Sequence, residues 1–465
     1  MGLRTATKGP SMQIIDSRLS HFRIHRPGLG VAAIALSCLV NVQVARAAAG
    51  DLDPTFGVGG QVTTDISNST DIANAVTVQA DGKLVVVGET YRKNDFSDED
   101  FVVARYDTDG TLDSTFGRRG KVRTDFPGLA GVPSSVVMQP DGKIVVAGGA
   151  FPLFTFLGNF KVVRYNSNGT LDNSFGVGGI VTTTFPEGSY ANSVALQSDG
   201  KIIAAGTVFV DVVIGDMSNT DFALARYNPN GSLDTTFGSG GTVTTDFFGM
   251  EDDAFSVLIQ PDGKIIAVGS SNNPATFYDF AAVRYLSNGT IDTTFGVGGK
   301  VNTDFGDQNF DRAQSAALQT DGSIIAAGFA ISQNGGSQNF AVARYTPNGV
   351  LDTTFSRDGI TQIDFGNCCQ SAYEVLLQAD GKIITVGYAN TEDSDSDFLL
   401  ARLTPRGSLD STFGVGGQVR TSFGDLNGGA NGAVLQSDGN IVAVGFQATF
   451  TSHRADFALA RYLGH

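Results

Sequence analysis

A phenylalanine recurs through this chain at Phe56, Phe116, Phe175, Phe237, Phe295, Phe355 and Phe413, with successive spacings of 60, 59, 62, 58, 60 and 58 residues. Each closes an LDxxF element, so the chain holds seven copies of one unit and little else. A period of this length restricts the fold to a propeller, a solenoid or an array of small modules.

The stretch from Asp221 to Phe247 shows what one unit contains. Phe222, Leu224 and Arg226 alternate with Ala223, Ala225 and Tyr227, the period of a strand rather than a helix. Asn230-Gly231 supplies a turn of residues that tolerate positive φ, a glycine run from Gly238 to Gly241 follows, and Thr242 to Phe247 is rich in β-branched residues. Each unit parses into four strands, such as Gly60 to Ile66, Ala73 to Gln79, Lys83 to Gly88 and Phe101 to Tyr106. The second and third of these are joined by Asp81-Gly82, read as a tight turn with positive φ, and the Asp-Gly pair recurs seven times. Tight hairpins force antiparallel neighbours, which disfavours a parallel solenoid.

The ends of the chain decide between an open array and a ring. A lone outer strand, Gly60 to Ile66, starts the repeats, and Phe457 to Tyr462 ends them one strand short. Docking one on the other gives an all-β, seven-bladed β-propeller in which the N-terminal outer strand closes the last blade and no edge is left unpaired.

The elements LDxxFGxGG, QxDGK and DFALARY resemble the delta-60 repeat family of bacterial propeller-type proteins and, more distantly, NHL-type propellers. The resemblance covers Leu52 to Tyr462 and implies the fold; it brings no general activity with it. Thr184 and Ser422 depart from the pattern where an outer-strand Asp is expected, and Leu403 stands where a Tyr is expected.

Residues 1–47 lie outside the repeat and read as a secretory signal peptide, leaving residues 48–465 as the propeller. Arg4, Lys8, Arg18, Arg23 and Arg26 precede an apolar run from Gly28 to about Val44, and Ala45-Arg46-Ala47 offers small residues for cleavage. Cleavage leaves 25 basic against 46 acidic residues, a net charge of −21, which argues against nucleic acid and anionic membrane surfaces as partners. The expectation is a secreted, periplasmic or cell-surface protein with no membrane span in the mature chain.

Recurrence also sorts the chemistry-bearing residues. An Arg on each fourth strand (Arg105, Arg164, Arg226, Arg284, Arg344, Arg402, Arg461) and the Asp of each LDxxF occur in every unit, so they are read as structural pairs. The residue five before each recurrent Gln instead changes from unit to unit: Asn74, Ser134, Asn192, Phe255, Gln314, Tyr373 and Asn431. That mixed polar and aromatic set is the candidate ligand-binding funnel at the channel mouth, with strand packing as the competing explanation.

Acidic loops offer metal candidates, Asp95, Asp98, Glu99 and Asp100 in one and Glu392, Asp393, Asp395 and Asp397 in another. No cofactor is required, but hard oxygen ligands at this density suit Ca²⁺; a solvated acidic loop is the competing reading. Only His453 and His465 survive cleavage, and neither a G-x-S-x-G elbow nor a C-x-x-C motif occurs, so carboxylates are the remaining acid–base groups. Cys368 and Cys369 are adjacent; in an oxidising compartment they close a strained vicinal disulfide or remain incidental or intermolecular thiols. Together these features predict a binding or scaffold module for a protein or glycan at the cell exterior. The alternative is a calcium-assisted hydrolase or lyase using carboxylates on the same face.

Overall fold

The computed structural model describes residues 47–465 apart from 93–94, 153–156, 212–218, 307–309, 332–335, 367–368, 391–395, 425–426 and 450–453. These form seven four-stranded antiparallel sheets, the blades of a β-propeller. In the first blade the innermost strand is Asp71–Val78, followed outward by Leu84–Arg92, Asp95–Tyr106 and Lys121–Thr124. The third strand begins earlier than its sequence pattern suggests, so Asp95 to Asp100 extend a strand rather than a loop. The last blade is completed by Gln61–Thr64, whose residues Gln61 to Thr64 pair with Ala460 to Phe457. No helix among the described residues is long and apolar enough to cross a membrane.

Period-two alternation builds the ring. Val85 and Val87 face the second blade and share a core with Phe116, Val136 and Ile144, while Val86 faces the last blade and meets Val442, Val444 and Phe457. Middle strands are therefore buried on both faces and read as continuous apolar runs. Six pairs of phenylalanines join third strands to the segments just after the outer strands, among them Phe101–Phe126 at 4.9 Å and Phe280–Phe305 at 4.7 Å between centroids.

The recurrent arginines pair with the recurrent aspartates, as in Arg226 Nε–Asp234 Oδ2 at 2.8 Å and Arg284 Nε–Asp292 Oδ2 at 2.9 Å. Each aspartate also caps its own turn, with Asp234 Oδ1 accepting from Thr236 N and Oγ1. Each arginine lies over the LDxxF ring and donates Nη1 to a carbonyl of another turn, such as Arg164 to Pro229 O at 2.6 Å. Burial alone would raise Asp292, yet the Thr294 hydrogen bonds, Lys264 and Arg284 bring its carboxyl down to about 2.

One local expectation changes. In the Asp-Gly turns only the glycine has positive φ, and Gln79 N–Lys83 O and Gly82 N–Gln79 O bonds close a three-residue loop; the two-residue turn is not formed. The substitution at Leu403 has a partner: in four other blades the tyrosine hydroxyl meets an outer-strand threonine, as in Thr245–Tyr285 at 2.7 Å, whereas Leu403 and Ile363 replace both groups and are buried together.

Candidate functional site

Every innermost strand carries one break in register, and the residue skipped is always the variable one. The breaks fall between Ala73 and Ala75, Pro133 and Ser135, Ala191 and Ser193, Ala254 and Ser256, Ala313 and Ser315, Ala372 and Glu374, and Ala430 and Gly432. Asn74, Ser134, Asn192, Phe255, Gln314, Tyr373 and Asn431 are thus bulge residues, freed from the ladder. The bulge needs a glycine opposite, because a Cβ on Gly88 would lie 2.0 Å from Ile72 O and one on Gly269 would lie 1.8 Å from Asp253 O.

All seven bulge residues line one central cavity of about 530 Å³. Three of them also tie neighbouring blades: Asn74 Nδ2 donates to Pro133 O at 2.8 Å, Asn192 Nδ2 to Ala254 O at 2.8 Å and Asn431 Nδ2 to Ala73 O at 3.0 Å. The residues after the bulges add a second circle of ties, with Ser135, Ser193, Ser256 and Ser315 accepting from backbone N–H groups at 3.1–3.3 Å. Structural and ligand-facing roles therefore coexist here, with the asparagines largely committed to the ring and the aromatic residues not.

The aromatic side of the cavity is asymmetric. Tyr373 and Tyr388 stack with centroids 5.1 Å apart and planes 4° from parallel, their hydroxyls 3.2 Å apart. Arg312 pairs with Asp253 at 3.0 Å, and its guanidinium lies 4.8 Å from the Phe255 centroid. Asp253 accepts further from Thr207 Oγ1 at 2.9 Å. Glu374, which accepts from Ser315 Oγ at 2.7 Å, is the one carboxylate among the described residues lining the cavity, and burial pushes it up to about 7. Glu89 is likewise raised to about 7, by burial and then by the charge of Glu99, and Asn74 Nδ2 lies 3.4 Å from its Oε2. Arg312, Asp253 and Glu374 were not singled out in the sequence; the signal was that their positions, like the bulge, vary between units.

The acidic metal candidates are distributed differently. Asp100 forms an ion pair with Arg123, and Asp397 forms one with Arg420. Asp95 and Asp98 lie on the third strand of the first blade, and Glu392, Asp393 and Asp395 lie outside the described residues. Among the described residues three other groups of carboxylates could hold a metal ion: Asp65, Asp71 and Asp456; Asp221, Asp246 and Asp252; and Asp279, Asp304 and Asp311. Burial and then the charges of Asp246, Asp221 and Asp253 raise Asp252 to about 8. Cys369 is exposed with φ 60°, and Cys368, its proposed disulfide partner, lies outside the described residues.

Six segments, 79–116, 139–175, 197–237, 260–295, 319–355 and 378–413, match the family described as "Domain of unknown function (DUF5122) beta-propeller". No curated protein matches the chain. Solved structures similar to it include a virginiamycin B lyase from Staphylococcus aureus, with 12% identity over 86% of this chain and 98% of that one and a TM-score of 0.42. The polysaccharide lyase Uly1 shares 10% identity over 84% and 90%, with a TM-score of 0.46. The NanB sialidase from Streptococcus pneumoniae shares 10% over 88% and 71%, with a TM-score of 0.44. Identities this low carry no function from one chain to another.

Proposed function

We propose that this chain, folded as a seven-bladed propeller, is an exported binding module that recognises a glycan at the central cavity. The observation that carries this reading is the convergence of all seven variable bulge residues on one cavity in an otherwise repetitive chain. Aromatic faces at Phe255, Tyr373 and Tyr388 suit the apolar faces of sugar rings, while the Asn, Gln and Ser groups suit hydroxyls. A protein ligand is the less favoured occupant, because a small concave polar pocket selects a residue-sized group rather than a broad surface.

A second reading is a hydrolase or lyase, favoured by one observation: Glu374, raised to about 7 beside the Tyr373–Tyr388 pair, has the pKa of a general acid at neutral pH. Calcium assistance at the cavity is not part of either reading, since the carboxylate clusters among the described residues do not line it. The test is a glycan-array screen of the mature protein, followed by titration of Phe255→Ala and Tyr373→Ala variants with the hits. Affinity should fall at least about tenfold without a change in fold. Product formation from a bound glycan, lost in Glu374→Gln, would establish the enzyme reading instead; hits bound equally by both alanine variants would refute the cavity as the site.

A further inference from the structure

Each of the seven blade junctions brings three positions into line: the end of an outer strand, the start of the next innermost strand and the residue ahead of the third-strand Phe. The chain fills them in different ways. In two junctions a side-chain cation is built in, Arg123 against Asp100 and Arg420 against Asp397. In another, carboxamides replace two of the acids, and Gln370 Nε2 donates to Asp364 Oδ1 at 3.0 Å. Three junctions instead keep three aspartates, and there the residues equivalent to Arg123 are the uncharged Thr63, Thr244 and Asn302.

The junction between the fourth and fifth blades is the most developed. Asp279 and Asp311 are both 0% exposed, and the Oδ1 atom of each has no hydrogen-bond partner. Their other oxygens are fixed: Asp279 Oδ2 accepts from Thr276 Oγ1 at 2.6 Å and Asn273 Nδ2 at 3.1 Å, and Asp311 Oδ2 from Phe305 N at 2.7 Å. Asp304 is held by Gly306 N at 2.7 Å. Among the described residues no lysine or arginine forms an ion pair with any of the three. Two buried carboxylates with oriented, unpartnered oxygens and no counter-charge are costly unless a cation joins them.

We propose that Asp279, Asp304 and Asp311 bind a Ca²⁺ ion that clamps the fourth blade to the fifth. One oxygen from each residue lies within 4.8 Å of the others. Oxygens sharing a Ca²⁺ at about 2.3–2.6 Å fall within such separations, and hard carboxylate oxygens suit this ion. Asp279 comes from the third strand of one blade and Asp311 from the innermost strand of the next, so the ion crosses the junction, whereas Arg123 and Arg420 pair with Asp100 and Asp397 of their own blades. The junction holding Asp221, Asp246 and Asp252 has the same three acids, but there Lys300 Nζ also reaches Asp246 O at 2.5 Å.

The test is calcium binding to the chelator-treated mature protein by equilibrium dialysis and calorimetry. Its partner is a variant carrying Asp279→Asn and Asp311→Gln, which copies the carboxamides Asn339 and Gln370 of the neighbouring junction and is expected to fold. The wild type should bind Ca²⁺ in preference to Mg²⁺ and melt at higher temperature with Ca²⁺ present, and the variant should bind one ion fewer per chain. Should the variant not fold, Asp304→Asn, at an exposed position, should weaken that site at least tenfold. No calcium bound at millimolar concentration, or undiminished stoichiometry and affinity in the variants, would overturn the proposal.

Discussion

Removing Asp51 to Ser67 takes away the strand that closes the ring, and the structure gives the size of the loss. Phe56 is fully buried beneath Arg461, and truncating a buried Phe costs about 3–5 kcal/mol. Arg461 would lose Asp53, held at 2.8 Å, and a buried charge stripped of its partner costs about 3–5 kcal/mol more. The ladder from Gln61 to Thr64 and the bonds Asp53 N–Arg461 O and Arg461 N–Gly60 O add about 1 kcal/mol each. The total is on the order of ten kcal/mol, comparable with the whole stability of a typical domain at about 5–15 kcal/mol. The truncated chain should therefore expose the edge at Phe457 to Ala460 and unfold or self-associate, as read by circular dichroism melting and size-exclusion chromatography. A peptide spanning residues 48–67, added in trans, should restore the monomer. A truncated chain that stays monomeric and melts like the full one would refute closure by this strand.

Other consequences are smaller. Arg226→Ala and Asp234→Ala should each cost about 3–5 kcal/mol, and the double variant less than their sum; additive losses in denaturant titrations would remove the pairing. Glu374, raised to about 7 when folded, contributes stability that is full below its unfolded value and lost as pH rises through about 7. Glu374→Gln should therefore flatten the decline in unfolding free energy between pH 5 and pH 8, read by denaturant titration, by roughly 2–3 kcal/mol, and a variant with the wild-type slope would contradict this. Gly269→Ala should destabilise by more than about 2 kcal/mol, since its Cβ would meet Asp253 O at 1.8 Å; an unchanged melting temperature would argue against the bulge.

Much of this architecture was legible because each unit repeats its own constraints. Spacing of the LDxxF phenylalanines gave the number of blades, and the unmatched strands at the two ends gave the closure. The Arg–Asp pairs followed from their occurrence in every unit. Phe255 and Tyr373 were recognisable as variable positions, but not as bulges, because a bulge depends on the backbone of two strands and is marked only by the opposing Gly269 or Gly387. The acid clusters were sought where acids are dense in sequence, at Asp95 to Asp100 and Glu392 to Asp397. Asp279, Asp304 and Asp311 come instead from three strands or strand ends in two blades, and each looks in isolation like an ordinary member of the repeat. Density along the chain identifies loops, whereas convergence across a junction requires the ring.

Ser134→Tyr tests the binding account most directly. Its position is equivalent to Phe255 and Tyr373, so the bulge geometry accepts an aromatic ring there, and the new side chain would fill part of the 530 Å³ cavity from the opposite side. In calorimetric titration with a glycan selected by the wild type, the account predicts an unchanged melting temperature and an affinity lowered by at least about tenfold. Wild-type affinity in the folded variant would contradict it and place recognition elsewhere on the propeller.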